Sequence, residues 1–451
     1  MRQNLLETYS RQLKVAEAYV AKNFEGRSVS SNTQLTTAVL LDNTNRWITE
    51  AMNTTATQRS DLGDWKKFCL NLTNIAVPSL IANDLVIVHP MTSYSGSVAY
   101  LSYVAKTTKG GVNAGDQFNG VFALGDMNEA RMNYASQVIV EVVGSDGKTA
   151  LTPVAYARFK KPGTDEYYDA KIIRDGETIY ANVVGDGDEA HIEGLAAGDK
   201  VAYISAEFQM EHVPAQDIPT IGPKMERIAL VAEPRRIAVR YDQITAFQAK
   251  TDYGFSLDKQ IAEQACGELA YEIDTEIVGM LFEAAKKGYD ADENVRKQLT
   301  WSKTLPIGVS KYEHYNGFLE VVEAAKAIIY NRTKKFQPNY MVIASDVLQV
   351  LRFITGFTAV KKPKMNGPYK VGEFDDGLAV YVSPAMKSGE FFFGLNGSDM
   401  MSSAGVYAPY MAIVPTQLLG TPDGGLAQGF STWYSKALLN ENLVVYGKIV
   451  A

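Results

Sequence analysis

Few residues in this sequence are fitted for chemistry, and their spacing decides what they could do. The richest stretch runs from Ser256 to Gly288, "SLDKQIAEQACGELAYEIDTEIVGMLFEAAKKG". Its carboxylates Glu263, Glu268, Glu272, Asp274 and Glu276 invite comparison with a di-metal site. Such a site needs a Glu and a Glu-x-x-His pair turned inward from bundled helices. Here the acids scatter around the helix and the segment holds no histidine, so they read as a solvated or interfacial charged face. The histidines, His89, His191, His212 and His314, share no i, i+4 spacing and no HExxH context, and read as structural. "GDGDEAHIEG" lacks the order and final Glu of a calcium loop and reads as a β-turn. "KGGVNAGDQFNG" is no phosphate loop, because GxxxxGK(S/T) does not occur, and no G-x-S-x-G elbow appears. Cys69 and Cys266 read as buried reduced thiols, and without a CxxC no structural zinc site is expected. No catalytic, cofactor-binding or metal-ligating residue is assigned, and the chain is not expected to be an enzyme.

The same stretch is more informative as a frame. Ala262, Cys266, Leu269, Ile273, Ile277, Met280 and Ala284 recur at three- and four-residue steps, the stripe of one helical face. Ser256 fits as N-cap, Lys286 and Lys287 suit the last turn, and Gly288 fits as the stop. Some 30 residues at ~1.5 Å each make a rod of roughly 45–50 Å. A second row, Ile261, Ala265 and Leu281, implies that the rod touches more than one neighbour.

Composition bounds the rest. A chain of 451 residues allows several domains, and 46% hydrophobic with 21% charged residues is ordinary for a globular protein. The net charge of -7 argues against a basic face that grips nucleic acid. The N-terminus has no signal-peptide pattern, no apolar run is long enough to span a membrane, and a reducing cytoplasm is the expected place of synthesis.

Along the chain, residues 1–60 read as an arm of two amphipathic helices whose stripes need a covering surface. Leu5, Tyr9, Leu13 and Trp47 are the expected contacts with other subunits. "PSLIANDLVIVHPM" reads as a short helix entering a strand, and "GSVAYLSYVAKT" as a strand running into a glycine-rich tip. In that tip Gly110, Gly111, Gly115, Phe118 and Gly120 are further expected intersubunit contacts. Residues 136–213 read as a small inserted all-β unit with hairpin turns at "SDG" and "RDG". Two strands follow, and Gly254 breaks the chain before the rod. Residues 313–425 read as a mixed α/β unit, and 426–451 as closing strands.

Several segments resemble one family. "VPSLIANDLVIVHPM" is similar to a segment that, in major capsid proteins of tailed bacteriophages with the HK97-like fold, reads P-N-L-I and ends V-Q-P-M; Ser79 and His89 stand at the usual Asn and Gln. The stretch from "RRIAVRYD" to "EIVGML" looks like that family's strand, short helix and spine helix. "AGVYAPYMAIVP" and "GFSTWYSKAL" are similar to its A-G-I-Y-Y-A-P-Y-V-A-L signature and to the strand after it. "LLDNTNRWITEA" is similar to a segment that in some relatives belongs to a cleaved propeptide. The branch resembled is that of large contractile-tailed phages.

The resemblance implies an α+β, HK97-like capsid fold. Its parts would be the arm (1–60), a peripheral P domain (61–92 and 214–312, with spine helix 256–288), an extended E-loop (93–135), the inserted all-β domain (136–213), an axial A domain (313–425) and the C-terminal strands (426–451). It implies hexamers and pentamers closing an icosahedral shell around double-stranded DNA, without sequence-specific binding, in a virion assembled with portal, scaffold and decoration proteins. The alternatives are a same-fold vertex or nanocompartment shell protein and, from another class, a β-rich surface protein that binds a glycan or receptor.

Overall fold

The longest helix organises the chain. The computed structural model describes residues 2–23, 29–54, 69–74, 76–107, 114–115, 138–142, 156–160, 167–175, 178–183, 200–205, 220–252, 254, 257–333, 335–360, 367–416, 419–420 and 425–450. In chain order come helices α1 (Arg2–Thr8), α2 (Ser10–Asn23) and α3 (Ser31–Thr54), then helical residues 69–74 and 76–79. Helix α4 (Ala82–Leu85) enters strand β1 (Ile87–Val88), and β2 (Ser95–Ala105) follows.

The chain divides into two compact units, one of residues 1–100 with 226–451 and one of 101–225. The second unit carries β3 (Val138–Val142), β4 (Tyr156–Lys160), β5 (Tyr167–Asp175), β6 (Thr178–Val183) and β7 (Lys200–Ser205). They form an antiparallel sheet in the order β3-β7-β4-β5-β6. The hairpin expected at "RDG" closes with Asp175 opposite Thr178. "SDG" and "GDGDEAHIEG" lie outside the described residues, as do Ser256 and the polar stretch after α3.

Strand β8 (Ile221–Val231) pairs with β2 as a two-stranded ribbon, and β9 (Glu233–Asp242) runs into α5 (Gln243–Asp252). Gly254 sits at φ +71°, a conformation open to glycine, and marks the expected break before the rod. The rod is α6, Leu257–Ala291, 35 residues long and thus about 52 Å. It passes through Gly288 instead of stopping there. The reason is tertiary: Tyr289 is buried, packs edge-on against Tyr446 at 4.9 Å, and its hydroxyl bonds Thr300 at 2.7 Å. That burial outweighs the ~1 kcal/mol that glycine costs inside a helix. Asp292 then caps the next helix, α7 (Glu293–Gln298).

After α7 come β10 (Thr300–Ser302), α8 (Lys311–Asn316), α9 (Phe318–Thr333), β11 (Tyr340–Ile343), α10 (Leu348–Leu351), β12 (Phe357–Ala359), β13 (Tyr369–Phe374), β14 (Ala379–Val382) and β15 (Glu390–Gly394). The last strands are β16 (Gly405–Pro415), β17 (Leu419–Gly420), β18 (Gly425–Leu438) and β19 (Val444–Val450). A seven-stranded mixed sheet runs β10-β19-β15-β11-β14-β13-β12. Its centre is buried on both faces because side chains alternate across β15. Phe391 meets Phe318 of α9 at 5.3 Å, while Phe392 meets Phe282 of α6 at 6.5 Å.

The other large sheet runs β1-β16-β18-β17, with β9 on the second edge of β18. Here the two halves of α6 find separate cores. Ala262, Ala265, Cys266 and Leu269 pack with Ile413, Phe430, Ile237 and Val239 of this sheet. Ile273, Ile277, Leu281 and Ala285 belong to the core around the seven-stranded sheet. The mixed helix and sheet class expected from the sequence is what the molecule shows.

Candidate assembly surfaces

The acids of α6 divide by what they touch. Asp274 is buried and accepts backbone N–H bonds from Ile81 at 3.2 Å and Ala82 at 2.9 Å, holding the start of α4 against the rod. Glu276 takes Arg235 as a fork, Nε to Oε1 at 3.0 Å and Nη2 to Oε2 at 3.3 Å, and Lys436 Nζ at 2.9 Å. Burial alone would raise its pKa. The bonds from Arg235 and Lys436 overcome that and hold it at about 2. One carboxylate thus ties α6 to β9 and to β18. Glu263, Glu268, Glu272 and Glu283 are exposed. The sequence treated all these acids alike. The signal that separates Asp274 is its place between Ile273 and Ile277 on the buried face.

The other candidates fall in separate places. Among the described residues, no group of three or more His, Cys, Asp or Glu side chains is placed to hold a metal. His314 stacks on Trp301 at 4.8 Å with its Nε2 at 3.0 Å from the Ser302 carbonyl, a structural place. His191 and His212 lie outside the described residues. Cys69 and Cys266 are free and buried, and burial pushes each thiol up to about 12.

The expected contact residues fall in different settings. Tyr9 and Leu13 are buried against Ala38 and Leu41 of α3, with Leu5 packed alongside. The surface that covers the first arm stripe is therefore in the same chain, because α1 and α2 fold back onto α3. Helix α3 is in turn fastened to the body. Asn43 Nδ2 bonds the carbonyls of Met91 at 2.8 Å and Tyr410 at 2.7 Å, and Leu40 packs with Val77 and Ala412. Trp47 is half-buried on α3. Gly115 has φ +103°, no described residue within 4 Å of its Cβ position, and donates its N–H to the Ala105 carbonyl at 2.7 Å. Gly110, Gly111, Phe118 and Gly120 lie outside the described residues.

Two exposed apolar patches were not singled out by the sequence. The first is a turn on the loop after β10. Val309 N donates to Pro306 O at 3.3 Å, and Gly308 takes φ +88° as the third turn residue. Ile307 stands wholly in solvent at its tip, with Leu305 and Val309 exposed beside it. Both ends of the loop are pinned. Lys303 N donates to Val450 O at 2.8 Å, and Ser310 and Glu313 form a capping box that starts α8. Tyr312 of α8 and Phe353 are also exposed. Tyr312 bonds Thr355 at 2.8 Å, and Lys311 lies 5.5 Å over the Phe353 ring. The second patch is α5, which buries Ala249 and exposes Ile244 and Phe247 three residues apart on one side. The readable signal for the first was an apolar residue framed by Pro and Gly, which forces it outward.

The family model "Major capsid protein Gp23" matches residues 62–448. The major capsid protein of Escherichia phage AR1 is 21% identical over 394 residues, 81% of this chain and 73% of that one. That of Enterobacteria phage T4 is 20% identical over 395 residues, with the same shares. Among solved structures, the capsid of Myoviridae Phage XM1 aligns over 81% of this chain and 90% of its own, at 8% identity and a TM-score of 0.35. With the family match spanning both large sheets, the spine helix and the inserted unit, the chain belongs to the Gp23 family of major capsid proteins.

Proposed function

We propose that this major capsid protein closes an icosahedral head of hexamers and pentamers, in an HK97-like arrangement, around double-stranded DNA. The observation that carries the reading is a rigid frame with uncovered apolar contacts. One continuous helix joins two sheets, yet Ile307, Phe247, Ile244 and Leu305 remain in solvent. Exposed apolar side chains on pinned elements are what an interface uses as anchors. The acidic balance of the chain lets it line DNA without clamping it. In this reading 1–60 is the arm, 61–92 with 214–312 the peripheral domain, 93–135 the extended loop, 136–213 the insert, 313–425 the axial domain and 426–451 the closing strands. The part-exposed sides of Leu5 and Trp47, left open by packing within the chain, and the tip around Gly115 are contacts with neighbouring subunits. Tyr9 and Leu13 act indirectly, by shaping the arm that presents them. Portal, scaffold and decoration proteins complete the particle, which is assembled in the host cytoplasm.

The test is assembly of the full chain, followed by electron cryo-microscopy and sedimentation. Closed shells with hexameric and pentameric units are expected. A chain that stays monomeric and monodisperse from dilute to concentrated solution refutes the reading.

A further inference from the structure

We infer that the Ile307 turn of one copy seats on helix α5 of the next copy, forming a head-to-tail contact of the shell. The inference rests on the capsid reading and adds the surfaces to it. The turn is preformed: its Pro306–Val309 bond, the Lys303–Val450 bond and the Ser310–Glu313 capping box fix it before any partner arrives. Little ordering cost is left for docking. An isoleucine with its whole side chain in water, between exposed Leu305 and Val309 in the same turn, makes an apolar anchor.

The occupant follows from what else the chain leaves uncovered. Helix α5 shows Ile244 and Phe247 on the side opposite buried Ala249, so its apolar face is free along the helix. Charges match at the margins. Lys303 and Lys311 bracket the turn, with Glu313 held in the capping box and Asp346 facing Lys303. Asp242 and Asp252 bracket α5, with Lys250 on one flank. The two patches sit on different sheets of the same unit, since the turn follows β10 and α5 follows β9. A contact between two different patches is heterologous, and heterologous contacts repeated by rotation close rings.

The experiment uses the full chain in an assembly reaction beside wild type. I307D is expected to keep the wild-type circular dichroism and melting temperature, because Ile307 is fully exposed, and to lose on the order of thirtyfold in particle yield. In parallel, particles of the double variant I307C/F247C are treated with a short bis-maleimide. A ladder of chain multimers is expected, absent from either single variant, with the buried native thiols silent. Wild-type yield from I307D overturns the inference. So does a double variant that assembles without a ladder, or an I307C single variant that links to its own counterpart or to a different protein. Failure of wild type itself to form particles refutes the capsid reading instead.

Discussion

Replacing Glu276 by Gln tests the tie between α6, β9 and β18. The wild-type carboxyl, held at about 2 against an ordinary 4.5, stores at most ~3.4 kcal/mol at neutral pH. The side chain is 30% exposed, so solvent screening reduces this to about 1–2 kcal/mol. The sign follows from linkage. The folded-state pKa is depressed, so the contribution is fully present above about 4.5 and is lost as pH falls towards about 2. E276Q is expected to shift the urea midpoint down by the equivalent of ~1–2 kcal/mol at pH 7, in low salt. The gap between variant and wild type should narrow steadily from pH 5 to pH 3. A gap that is the same at pH 7 and pH 3, or one below ~0.3 kcal/mol at pH 7, would refute the reasoning.

Truncating Phe392, fully buried between α6 and the seven-stranded sheet, is expected to cost ~3–5 kcal/mol in F392A, read by chemical denaturation. Tyr340 is buried and its hydroxyl has no hydrogen-bond partner among the described residues, so Y340F should be neutral or stabilising by up to ~1.5 kcal/mol; a loss above ~1 kcal/mol would reveal a partner for that oxygen. Cys69 and Cys266, buried and pushed to about 12, should resist a thiol-titrating reagent in the native protein and react together only after denaturation.

The rod was legible because a buried stripe at steps of three and four leaves a periodic trace, and Ala262 to Ile277 show it plainly. Its end was not. Gly288 is a local stop signal, and Tyr289 overrides it through contacts with Tyr446 and Thr300, which lie far along the sequence or beyond the next helix. The arm shows the same divide. The stripe through Leu5, Tyr9 and Leu13 announced that something covers it, but a stripe carries no name for its cover, and α3 of the same chain fills the role. The three successive β15 phenylalanines have no alternation that tells which face is covered, and their burial on both faces needed α6 and α9 in place. Of the exposed apolar residues, Ile307 lies in a turn and Phe247 on a ten-residue helix, both too short for a buried-face period to show; only the Pro306 and Gly308 frame marks Ile307 as outward.

The spine helix has a mechanical corollary. Its first half completes one hydrophobic core and its second half completes another, with an unbroken ladder of peptide bonds between them. Pressure from within a filled head would tug unevenly on the two sheets. Neither can slide without bending that single beam or stripping one half of its apolar side chains from their core. Stiffness under load is thus written into one stretch of secondary structure, and a proline at its midpoint would be felt by the container before it was felt by any one contact.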